Sequence, residues 1–189
     1  MNILIALVII LAVITAGHLA ITLGLIRRLR AHTDLLDQLA DTTDMLLPTG
    51  TPTPAFTTGT LDGAAITQAD LRHPAAIALL AVDCPHCRVN LPEFVAYVRG
   101  AGFPRDQVLA VVTVDENTDP TARRDMLDAL TPVATVVCEP AADGAVTTAF
   151  DNQAFPAFYL TGPDATITTG SHAVRKLPNT TTIPTPAHH

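Results

Sequence analysis

The chain has 189 residues, 48% of them hydrophobic, enough for one ordinary domain with appendages. From residue 31 onward eight Lys and Arg face all 18 Asp and Glu, a formal charge of −10. No basic stripe exists for a phosphate backbone, which excludes nucleic acid as a partner, and three cysteines are too few for a disulfide scaffold.

Residues 3–26, "ILIALVIILAVITAGHLAITLGLI", contain no Asp, Glu, Lys or Arg. As a helix this stretch reaches roughly 36 Å, enough for the ~30 Å hydrocarbon core of a bilayer. It is longer than a signal-peptide core, no basic residue precedes it, and Arg27, Arg28 and Arg30 follow at once. Residues 1–30 are therefore expected to be an uncleaved transmembrane anchor with a basic flank, His18 being tolerated within it. Residues 31–46 read as an amphipathic stalk helix, with Asp34, Asp37, Asp41 and Asp44 on one face and Leu35, Leu39 and Leu46 on the other. That seam lasts about two heptads, too short for a sustained coiled coil, so local packing is expected.

Residues 47–54 form a Pro/Thr linker by composition, and a domain is expected over 55–176. Its first element is a hairpin, "FTTGTLDGAAIT", turned at Asp62-Gly63. Three apolar runs of strand length follow, at 75–82, 107–114 and 133–139. Between them lie two helices. The first, 87–100, turns Leu91, Phe94, Val95 and Val98 inward, with a kink predicted at Pro92. The second, 119–130, is capped by Asp119 and opened by Pro120. Residues 158–170 read as strand, Gly-Pro-Asp turn and strand. Strands alternating with helices and ending in a hairpin predict an α/β domain, a central mixed sheet flanked by helices. The tail, 177–189, is Thr/Pro-rich and expected to be disordered.

The chemistry is concentrated in Cys84-Pro85-His86-Cys87, which ends an apolar strand and begins a helix. Haem attachment needs a His after the second cysteine, where Arg88 stands. Structural zinc needs a second ligand cluster, and Cys138 and His172 are isolated in the sequence. A structural staple of so short a loop would remove little chain entropy. A metal site adding one distant ligand is the surviving alternative. A redox pair fits the context best. A sulfur at a helix N-terminus meets unpaired N–H groups and the positive end of the helix dipole, which favour thiolate. Cys84 would attack a partner disulfide and Cys87 would resolve the mixed disulfide.

The strand–CPHC–helix succession, Pro92 five residues beyond the second cysteine, and the later "AFPAFYL" before a hairpin together resemble the thioredoxin superfamily. With the anchor, the "PAF…LDG…I" entry and the "GPDATI" exit, the chain is most similar to the membrane-tethered TlpA/ResA group, within it the MauD-like branch, over roughly residues 50–172. The resemblance implies a thioredoxin-like fold and a protein thiol–disulfide oxidoreductase. Its partners would be protein clients with cysteine pairs, an electron-transfer partner, and the bilayer through residues 3–26. No metal or cofactor is expected beyond a redox-active Cys84–Cys87 disulfide. The resemblance also implies that Phe155-Pro156 is the cis-proline loop facing the cysteines; by itself the sequence shows only a proline before a strand. The other readings are a non-catalytic metal-binding module and a structural accessory of a membrane complex.

Several residues tune or depart from that pattern. Pro85-His86 is similar to the dipeptide of DsbA-type oxidases, and an imidazole there would favour thiolate and an oxidising disulfide. Asp83, beside Cys84, would disfavour a second negative charge. The buried acid of thioredoxins is replaced by Ala78, and the acid three past the second cysteine in ResA-like reductases is Asn90. Only "HAVRKL" could begin the final helix of the fold, so that helix is expected to be short or missing. Cys138, on an apolar strand, is expected to be a small buried core residue. Arg27, Arg28 and Arg30 favour a cytoplasmic domain by the positive-inside rule, whereas the resemblance places it outside the cytoplasm. An extracytoplasmic, single-pass arrangement is the expectation.

Overall fold

The structure, a computed structural model, describes residues 45–178 together with Thr15. The expected anchor, nearly all of the stalk and the tail beyond 178 lie outside the described residues. Among the described residues no helix is long and apolar enough to cross a membrane.

The elements in chain order are β1 (Thr57–Gly59), β2 (Ala65–Thr67), β3 (Ala76–Ala81), α1 (Pro85–Gly100), β4 (Val108–Val114), α2 (Pro120–Leu130), β5 (Thr135–Pro140), α3 (Ala145–Ala149), β6 (Ala157–Thr161) and β7 (Ile167–Ser171). Single 3-10 turns occupy Gln68–Asp70, Arg105–Gln107 and Val174–Lys176. β1 and β2 form the expected hairpin, turned by Gly63 at φ 85°. The other five strands make one sheet in the order β5-β4-β3-β6-β7, with β3, β4 and β5 parallel and β6 and β7 antiparallel to their neighbours.

The continuous apolar runs are explained by cover on both faces. Ala76, Ala78 and Leu80 of β3 point into a core with Phe94 and Val98 of α1 and Met126 and Leu130 of α2. Ile77 and Leu79 point into a second core with Phe56, Val146, Phe150 and Tyr159. Both faces being buried, alternation in the sequence disappears. α1 starts two residues before the predicted boundary, with Pro85 in its first turn, and runs unbroken across Pro92. α2 is capped as expected: Asp119 accepts from Thr121 N at 3.0 Å and Ala122 N at 3.4 Å.

The structure differs from expectation at 47–54. Read as a linker, this segment is docked along β7 and the turn before it: Gly50 N donates to Ile167 O (2.7 Å), Ile167 N to Thr51 O (2.8 Å) and Thr53 N to Ala165 O (2.8 Å). Leu46 is buried in the second core. Pro and Thr suit such an edge, because proline withholds an N–H only where no further strand needs it. Cys138 is also unlike its expectation. It is half-buried on the edge strand β5, where cover is incomplete, while its neighbour Glu139 is only 3% exposed. After β7 the chain forms one 3-10 turn, Val174–Lys176, and no longer helix; Val174 and Leu177 complete the α1-side core.

Candidate active site

The site forms where β3 ends. Val82 N still donates to Thr113 O (3.2 Å), after which Asp83 and Cys84 leave the sheet. Cys84 is extended (φ −88°, ψ 114°) and is the N-cap of α1. Its sulfur takes the role usually played by a Ser or Asp oxygen, accepting from Cys87 N at 3.2 Å. On the other side it donates to Phe155 O at 3.5 Å. The pairing of Leu79 with Ala157 explains that contact, because it brings residues 155 and 156 beside the end of β3. The Phe155–Pro156 peptide is cis.

The two sulfurs live in different surroundings. Cys84 is half-buried and Cys87 wholly buried, and neither is bridged. Burial pushes the Cys87 thiol far above its ordinary value, opposed by the Ala81 N–H, 3.4 Å from its sulfur, and reinforced by the neighbouring Cys84. At neutral pH Cys87 is therefore a protonated, buried thiol. Cys84 is the accessible sulfur, placed where a helix N-terminus favours negative charge.

The flanking residues are placed as follows. Pro85 and His86 are exposed in the first turn of α1, and among the described residues the His86 ring has no hydrogen-bond partner. The Asp83 carboxylate is turned toward the β4–α2 loop, where it accepts from Thr118 Oγ1 at 2.7 Å. Asn90 has a job that an acid could not do. Its Nδ2 donates to His86 O (2.9 Å) and its Oδ1 accepts from Val174 N (3.1 Å), tying α1 to the C-terminal segment. A carboxylate could accept from Val174 but could not donate to His86.

His172, isolated in the sequence, lies against the proline loop, its Nδ1 2.6 Å from Pro156 O. Nothing local signals this, since 88 residues separate it from Cys84. Among the described residues no group of three His, Cys, Asp or Glu is arranged to hold a metal ion.

No protein-family model matches the sequence, and no curated protein does. Solved structures do match. A thio-disulfide isomerase from Thermus thermophilus superposes with a TM-score of 0.54 at 16% identity, over 67% of this chain and 87% of that one. A thiol:disulfide interchange protein from Bacteroides sp. gives 0.51 at 18% identity, over 66% and 82%. The thioredoxin domain of a thiol-disulfide oxidoreductase from Bacteroides vulgatus gives 0.50 at 19% identity, over 66% and 89%. Identity this low speaks for architecture alone: the chain has a thioredoxin-like fold, a central mixed sheet flanked by helices, with Cys84 and Cys87 at the end of its middle strand.

Proposed function

We propose that the chain is a membrane-tethered thiol–disulfide oxidoreductase that exchanges disulfides with protein clients. One observation carries this reading: an accessible sulfur capping a helix N-terminus, with a second, buried sulfur one turn along. The Cys84 thiolate attacks one sulfur of a client disulfide. The client S–S bond breaks, one client sulfur leaves as thiolate and takes a proton, and a mixed disulfide remains. Cys87 then gives up its proton and attacks the Cys84 sulfur. The Cys84–Cys87 disulfide forms, the second client thiolate leaves, and two electrons have passed to the client. Run backwards, the same steps oxidise a client dithiol.

The charge-free stretch 3–26 supports a tether, and the CPHC, "AFPAFYL" and "GPDATI" segments support placement in the MauD-like branch, with the domain outside the cytoplasm. Cys84→Ser is expected to reduce turnover of a model protein disulfide to background, while Cys87→Ser accumulates mixed disulfides visible on non-reducing gels. Wild-type turnover by Cys84→Ser would sink the proposal. Labelling intact cells with a membrane-impermeant thiol reagent, before and after reduction, tests the compartment: labelling only after lysis rejects an external domain.

A further inference from the structure

The β6–β7 ladder ends at the pair Phe158–Ser171. Two residues before Phe158, outside the ladder, lies the carbonyl of the buried Pro156. The imidazole of His172 supplies a donor, with Nδ1 2.6 Å from Pro156 O. A carbonyl can only accept, so the proton sits on Nδ1, and neutral and protonated imidazole alike can make this bond. The turn bearing His172 is itself braced. Ser171 Oγ donates to Ala173 O (2.9 Å) and accepts from Ala173 N (3.1 Å), and Val174 N is held by Asn90 of α1. Successive carbonyls of the proline loop are therefore each met by a side chain, Phe155 O by the Cys84 sulfur and Pro156 O by His172.

We infer that His172 is a positioning residue: it fixes the proline loop so that a client chain can lie beside Cys84. This rests on the disulfide-exchange reading above. A client protein needs both the sulfur and the loop, whereas a small reagent needs only the sulfur. Only the first reaction should depend on His172.

The test uses the purified full chain with His172→Ala, His172→Asn and His172→Gln. Three quantities are measured for each: the rate of exchange with a peptide disulfide, the rate of Cys84 alkylation by iodoacetamide, and the thermal midpoint. Asn carries an amide donor at the level of Nδ1, and Gln places it one bond further out. His172→Ala and His172→Gln are expected to lose about tenfold in peptide exchange, the scale of one hydrogen bond that orients a reacting chain. Alkylation should stay within about twofold of wild type, and His172→Asn should recover most of the loss. If the Ala variant does not fold, the Asn–Gln pair decides. Equal losses in exchange and alkylation, no loss in exchange, or Asn behaving like Gln would each overturn the assignment. Failure of the wild type to exchange any disulfide would instead reject the function on which it rests.

Discussion

Two helix N-termini in this domain are satisfied in opposite ways. At α1 the acceptor is the Cys84 sulfur, half-buried, with one N–H donor at 3.2 Å and a long contact to Phe155 O. At α3 the cap residue is Gly144, which has no side chain to offer, and Glu139 reaches across from β5. Its buried carboxylate accepts from Val146 N at 2.9 Å, Thr147 N at 3.3 Å, Thr58 Oγ1 at 3.1 Å and Thr147 Oγ1 at 3.4 Å. A carboxyl group so completely hydrogen-bonded serves as a structural tie. The sulfur keeps most of its coordination open. The same helix-end physics thus gives a fastener in one place and an open sulfur in the other.

Cutting the fastener should have the largest effect on stability. Glu139→Ala strands several buried donors and is expected to cost about 2–4 kcal/mol in denaturant unfolding, without changing Cys84 alkylation in the folded protein. Gly144→Ala tests the same tie from the other side, since an added Cβ would stand 2.9 Å from Glu139 Cβ. If either variant unfolds like wild type, the contrast between the two caps fails.

A smaller effect is expected at the buried sulfur of Cys87. Because Cys87 is held as a thiol, resolution of a mixed disulfide should quicken by about tenfold per pH unit between pH 6 and 8. Stopped-flow resolution that is flat with pH would contradict this. The same burial has a stability consequence with a definite sign. The folded value lies above the unfolded one, so the contribution is complete below the ordinary thiol range. It is lost as pH rises from roughly 8.5 upward, and Cys87→Ala should remove that alkaline slope.

The smallest effect is expected at the opposite end of β3. His73 binds Thr161 Oγ1 through Nδ1 at 2.7 Å. Burial holds it below its ordinary value, while the Asp164 charge partly offsets this. Its contribution is therefore present above the ordinary histidine range and lost as pH falls through it. Thermal midpoints between pH 7.5 and 5 should decline less in His73→Gln than in wild type.

Much of this architecture was legible because its signals are local. The apolar runs of β3 and β4 needed only their length, Asp119-Pro120 announced α2, and Cys84-Pro85-His86-Cys87 announced itself by position. What stayed hidden depends on residues meeting across the chain. His172 is 16 residues from the carbonyl it holds, and Asn90 is 84 residues from Val174. The reading of 47–54 as a linker rested on Pro and Thr, which disfavour regular structure but are well suited to lie along a sheet edge. On β5, period-two reasoning could not tell that the acid would be buried and the cysteine partly uncovered. That choice is made by α3 and β1, which bring the donors for Glu139.

The docking of residues 47–53 on β7 also bears on reach. A free chain of that length would let its ends wander roughly 15 Å apart. With Gly50 and Thr51 bonded to β7 and Thr53 to the turn before it, that slack is gone. A pull applied at Leu46 would be borne directly by the edge of the sheet. If the chain acts from a tether as proposed, the docked segment adds nothing to the distance over which Cys84 can reach a client.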